Sequence, residues 1–379
     1  MSASRFRRMT LVSLGVVFVA LLVLVSASYA SSARKSAHVA FNKQTAQSAQ
    51  AFGGMAALVK AAQKEGTLNV IALPPTWADY GKIISAFQSK YHIKIVSENP
   101  DGNSQQEVDA VKALATTNRQ PDVVDLAPAI MSANLGLFTP YKVAVWNQIP
   151  KGLKDKNAKW YDDYTGYESI GYSANLVKTP PKTVNDLLKS TYKGMVALNG
   201  NPLTASAALN GVVMASLANR GSAYNIAPGV NFFHLLKQRG NMLPVDPTPA
   251  TEASGQTPIV IDWDYNQAGE AAAYPSLHWK WVIPANDIVT SYYQQAIVKN
   301  CPHPAAARLW EEFIYSTTGQ NWFLRGGAHP VLQAQMTKAG TIDKAALKKQ
   351  PKVVGTPVQL TSKQLSSAVT YLQANWGKI

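Results

Sequence analysis

The spacing of apolar residues changes period several times along the chain, and the changes mark out its first elements. Leu68 to Leu73 is a short apolar run with β-branched members, closed by Gly66 on one side and Pro74-Pro75 on the other. Such a run predicts a buried strand. Tyr80, Ile83, Ile84, Phe87 and Tyr91 then recur at helical spacing, and Ile93 to Val96 forms a second short strand. Strand, helix and strand over this length predict a parallel pair with a right-handed crossover. Pro74-Pro75-Thr76-Trp77 falls at the carboxyl end of the first strand, where open α/β sheets hold ligands.

The pattern continues in the same style. A helix is predicted from Met55 through Leu58 and Ala62, and another after Ser104, which with Glu107 matches a capping box ahead of Val108, Val111 and Leu114. Pro121 to Leu126 reads as a buried strand, and the aromatic stretch Trp160 to Tyr172 as an extended crossing segment. Thr183 to Leu188 looks like a helix start, Met195 to Leu198 and Pro258 to Trp263 like strands, and about Thr204 to Asn219 like a helix. Trp279 to Pro284 and Ile288 to Val298 look extended and carry the chain back. Pro304 opens a helix at its favoured first position, and a last helix is predicted from about Ser362 to Trp376. No internal repeat is visible.

The chain has 379 residues, 46% of them hydrophobic, more than one core usually requires, so two lobes are expected. The formal charge is +14, but the lysines are scattered and no Arg-rich run or nucleic-acid motif accompanies them. A solvated basic surface is expected, with no nucleic-acid partner. Cys301 is the sole cysteine, which excludes an internal disulfide and a cysteine-rich zinc site; a small buried apolar role suits it. A basic start (Arg5, Arg7, Arg8), an apolar run from Leu11 to Ala27 and small residues to Ala30 read as an export signal cut after Ala30. An uncleaved membrane anchor is the alternative. No cysteine follows the run, so a lipoprotein anchor is excluded.

No motif for a nucleophile elbow, a zinc protease or a phosphate loop is present, the histidines are dispersed, and neither a cofactor nor a metal is expected. Asp262, Asp264 and Glu270 are the best carboxylate cluster; Asp262 and Asp264 would share a face of one strand. They suit gripping a cation or hydroxyl, a plain strand-end role, or an acid/base pair in a secreted hydrolase. Trp77 follows two prolines and suits either packing or stacking on a ligand. Asn103 and Ser104 sit at one helix start, and Thr204 and Ser206 at another; they act as plain caps or as anion-holding termini. Trp263 and Tyr265 flank Asp264, and Tyr292-Tyr293 lies on a return segment.

KEGTLNV with the following F-x-x-x-Y-x-I-K-I, then QPDVVDL, YESIGYSANLV, YKGMVAL before NPLTASAA, VIPAND and HPAAARLWEEFIYSTTGQ occur in an order that resembles the extracellular solute-binding proteins of bacterial ABC importers. The type II periplasmic-binding-protein class is similar, with polyamine, iron and aminoethylphosphonate binders the nearest in flavour. The resemblance implies an α/β fold of two lobes, each a mixed sheet flanked by helices, joined by two crossing hinge strands. It implies a signal peptide at 1–30, a flexible lead-in at 31–54, lobe one at 55–170 and 287–330, and lobe two at 171–286. A C-terminal helical extension at 331–379 would pack on lobe one. It implies no enzymatic activity. A small polar solute (polyamine, phosphonate or carboxylate) would be held between lobes that close by a hinge, and handed to an ABC permease outside the cytoplasm. The residues it points to are Thr76, Trp77, Asn103, Ser104, Thr204, Ser206, Asp262, Trp263, Asp264, Tyr265, Tyr292 and Tyr293.

Overall fold

Two apolar cores organise the chain. The computed structural model describes residues 44–379, so the expected leader lies outside the described residues. One core gathers Leu68, Val70, Ile83, Phe87, Val123, Trp310 and Phe313; the other gathers Ile170, Val196, Val212, Phe233, Ile259 and Ile261.

The first core begins with α1 (Met55–Glu65), which ends at Gly66 in left-handed backbone, φ 72°, a turn that glycine makes without strain. β1 (Thr67–Ile71), α2 (Tyr80–Tyr91) and β2 (Lys94–Glu98) follow, and β1 pairs parallel with β2 as the periodicity predicts. α3 (Ser104–Ala113), β3 (Val123–Leu126), α4 (Pro128–Ala133) and β4 (Phe138–Thr139) come next. The cap of α3 is one residue earlier than expected. Asn103 Oδ1 accepts from the Gln105 and Gln106 amides, and Gln106 Oε1 accepts from the Asn103 amide. Ser104 and Glu107 are buried and turn inward instead: Ser104 Oγ accepts from the Ala127 amide and Glu107 Oε2 from the Asp125 amide.

β5 (Tyr161–Ser173) runs from one core into the other. Beyond it lie β6 (Val196–Leu198), α5 (Ser206–Leu217), α6 (Ala227–Gln238), α7 (Pro249–Ala253), β7 (Ile259–Trp263), α8 (Asp264–Ala273) and β8 (Trp279–Val282). β9 (Thr290–Val298) returns the chain to the first core. The first part of β5 pairs antiparallel with β9, the second part with β7 and β8. The larger sheet follows the order β3-β9-β5-β7-β6, with β6 and β7 parallel. The fold is therefore two-lobed α/β with crossing hinge strands.

α9 (Pro304–Ile314), α10 (Thr317–Arg325), β10 (His329–Pro330), α11 (Gln333–Ala339), α12 (Lys344–Leu347) and α13 (Ser362–Asn375) complete the chain. Met336 and Ala346 join the first core, but Ala368 and Leu372 of α13 join the second, which corrects the expectation of an extension packed on lobe one. The tail crosses beside the return segment. The Asn286 amide donates to Val354 O, the Val358 amide to Ile288 O and the Thr290 amide to Val358 O. α13 then offers its apolar face to α6, with Trp376 and Phe233 5.6 Å apart. The described part of the lead-in is also fastened rather than flexible. Ala46 and Phe52 are buried in the first core, and the buried Arg308 guanidinium donates to the carbonyls of Gln44, Ala46 and Pro304.

Candidate functional site

A cavity of about 230 Å³ opens where the two cores face each other. The first core contributes Pro74, Thr76 and Trp77 after β1, Tyr80, Asn103, Ser104 and Glu107 around the start of α3, and Asp125 and Tyr164. The second contributes Asn199, Ala205 and Ser206, Asp246, Glu252 of α7, and Asp262, Asn266 and Glu270. Tyr293 of β9 lies between them.

The loop after β1 is held under strain. Trp77 opens a short 3-10 turn in which Ala78 and Asp79 both take left-handed backbone, φ 45° and 65°. Each such residue costs roughly 1–3 kcal/mol and persists only where its surroundings impose it. Two glycines let those surroundings close in. A Cβ on Gly326 would meet Ala78 C at 2.5 Å, and one on Gly269 of α8 would meet Thr76 O at 2.3 Å. The Trp77 ring packs edge-on against Tyr293 at 5.7 Å and tilted against Tyr265 at 6.4 Å, while it also lines the cavity.

The electrostatics are one-sided. Asp101, Glu107, Asp125, Asp246, Glu252, Asp262 and Glu270 line the cavity, and no Lys, Arg or His among the described residues does. Burial pushes Asp125 up to about 7, against hydrogen bonds from the Tyr80 hydroxyl at 2.8 Å and the Tyr164 hydroxyl at 3.2 Å. Burial also raises Glu107 well above the usual carboxylate range and lifts Asp246. Among the described residues no group of three or more His, Cys, Asp or Glu is placed to hold a metal ion.

The structure separates the residues marked in the sequence. Thr76, Trp77, Asn103, Ser104, Ser206, Asp262 and Tyr293 line the cavity together. Trp263, Asp264 and Tyr265 do not: all three are buried behind it. β7 ends at Trp263, whose side chain alternates away from that of Asp262, and α8 starts at Asp264, so the two-residue period fails there. Asp264 Oδ1 accepts from the Tyr167 amide at 2.7 Å instead. Asp264 thus does not share a hollow with Asp262 and Glu270, which line the cavity together. Thr204 and Tyr292 line a different hollow of about 860 Å³, bounded by both cores and α13, which Ser206 also touches. Tyr292 and Tyr293 are successive on β9 and so face opposite sides of it. Glu252, Glu107, Asp125 and Asp246 are cavity residues that the sequence pattern does not reveal. Asp125 sits inside an apolar run, and Glu252 and Asp246 in a stretch with no periodicity.

A family model described as bacterial extracellular solute-binding protein matches residues 122–353, more than half of the chain. No curated protein matches significantly. Among solved structures, the periplasmic binding protein AfuA from Actinobacillus pleuropneumoniae, with exogenous fructose-6-phosphate bound, aligns at 16% identity over 82% of this chain and 98% of that one, TM-score 0.61. Iron-bound HitA from Pseudomonas aeruginosa aligns at 19% identity over 82% and 98%, TM-score 0.57. The spermidine/putrescine substrate-binding protein PotD from Streptococcus pneumoniae, in complex with calcium and HEPES, aligns at 15% over 82% and 98%, TM-score 0.53. These likenesses concern the fold.

Proposed function

Since the chain belongs to the bacterial extracellular solute-binding proteins, we propose that it captures a small organic cation, of the polyamine or simple amine class, in the acidic cleft between its lobes. It is the solute-binding component of an ABC importer and hands its solute to the membrane permease. Residues 1–30 would direct its export. The observation that carries the solute class is the lining: seven carboxyl side chains and no basic one among the described residues, on a chain whose Lys and Arg outnumber its Asp and Glu 36 to 22. A phosphonate or carboxylate finds no cation in this lining to pair with, whereas an ammonium group finds carboxyl oxygens that can pair with it as they ionise. Asp262 and Glu270 from one side and Asp125 and Glu107 from the other would face the charge. Trp77 and Tyr293 would supply aromatic faces for the alkyl stem and the cation. The solute leaves chemically unchanged.

A melting-temperature screen tests this. Spermidine and putrescine should raise the midpoint by binding the folded state, and fructose 6-phosphate and citrate should leave it unmoved. Stabilisation by the anions alone would overturn the assignment.

A further inference from the structure

Three carboxyls of the second lobe converge on the cleft with nothing positive beside them. Glu252, Glu270 and Asp262 all line the cavity and are 6%, 5% and 5% exposed. Glu252 Oε2 and Glu270 Oε2 are buried with no hydrogen-bond partner. Asp262 is better supplied, since Oδ1 accepts from the Trp263 amide at 2.7 Å and Oδ2 from Asn266 Nδ2 at 2.9 Å. The groups facing them are also acidic or neutral: Asp246 before α7, Asp101 before α3, the Thr76 hydroxyl, and across the cavity Glu107, Asp125, Tyr80, Tyr164 and Tyr293. A buried carboxylate without a partner is unfavourable, and three side by side repel one another. The lower-energy state keeps protons on them.

We propose that Glu252, Glu270 and Asp262 form a proton-exchange corner, in which the empty cleft holds protons on these carboxyls and an ammonium group of the solute displaces them as it docks. This rests on the reading of the cleft as an amine site. The balance is simple: one or more protons leave for solvent as the positive group arrives, and the corner stays close to neutral throughout. The titration behaviour agrees. Burial, then Glu270 and Asp262, pushes Glu252 up to about 9; burial pushes Glu270 up to about 7 against a hydrogen bond from Thr76; and burial pushes Asp262 up to about 6. Fewer protons need displacing as pH rises, so capture strengthens toward alkaline pH and weakens in acid.

Isothermal titration of the exported chain with spermidine at pH 5.5, 7 and 8.5, in buffers of different ionisation heat, tests the corner. The affinity should rise about tenfold per pH unit for each proton displaced, and the heat should change with the buffer, reporting proton release. Glu252→Gln, or Glu270→Gln should the first variant not fold, should flatten the pH slope and reduce the protons released. Spermidine binding with equal affinity at all three pH values and no buffer dependence would overturn the corner while leaving the amine reading intact. Binding of fructose 6-phosphate or citrate, with no amine bound at any pH, would sink that reading first and the corner with it.

Discussion

Two hollows flank the hinge strands, and they differ in lining as well as in volume. The smaller is lined by seven carboxyls. The larger, about 860 Å³, has half-buried apolar side chains such as Trp160, Leu203, Leu365 and Val369, with Asp155 and Asp162 the only charged lining residues among those described. Asp162 accepts from Gln294 Nε2 at 2.9 Å. In the smaller hollow, carboxyl oxygens of Asp125, Glu252 and Glu270 lie buried and unpaired. Volume therefore does not decide between the two hollows; the unpaired carboxyl oxygens do, because they represent interaction free energy that an incoming donor can recover.

Four measurements would break or sharpen that contrast. The largest effect concerns pH. Burial raises Glu252 from an ordinary 4.5 to about 9 and Glu270 from the same start to about 7. Such carboxyls favour the folded state fully below about pH 4, and that contribution is lost as pH climbs through 7 to 9. Each pH unit separating a group's unfolded and folded titration points corresponds to roughly 1.4 kcal/mol. Denaturant titrations of the solute-free protein should show stability falling from pH 5 to pH 9, less steeply in Glu252→Gln. Next comes Asp262→Asn, which should weaken spermidine binding by about 2–5 kcal/mol. Asp162→Asn in the larger hollow should leave it within about 0.5 kcal/mol. Equal losses would mean both hollows hold solute.

Third, Gly269→Ala places a Cβ against Thr76 O and should cost about 1–3 kcal/mol of stability. It should also reduce amine affinity, because the displaced loop carries Trp77; a stable variant with unchanged affinity would show that the loop is not part of the grip. The smallest expected effect is from Trp77→Ala, about 1–2 kcal/mol of affinity by calorimetry. Trp160→Ala should lower the melting temperature alone.

Much of the fold is legible in the chain because periodicity reports burial. Leu68 to Leu73, the Tyr80 to Tyr91 helix, the long crossing strand at Trp160 to Tyr172 and the helix at Pro304 all sit close to where apolar spacing places them. α6, α7 and α8 are not legible in that way, and missing α8 misdirects the site. Asp262 and Asp264 share a face only if the strand continues, yet the chain turns helical at Asp264, and local spacing carries no mark of that change. Glu107 shows the opposite failure. It matches a cap pattern on the surface, but Asn103 makes a better cap with Gln106, which frees Glu107 to point at the Asp125 amide. Which carboxyl turns inward is decided by the partner across the core, and that partner is far off in sequence.

The tail adds a third segment, joined at the single bridge of Val358 to Val289, beside the two strands between the lobes. The Glu168 amide reaches Val289 O, and Ile288 to Thr290 in turn bonds Val358. A swing of the halves about this joint would carry Asp262 and Glu270 toward Asp125 and Glu107 across the cavity.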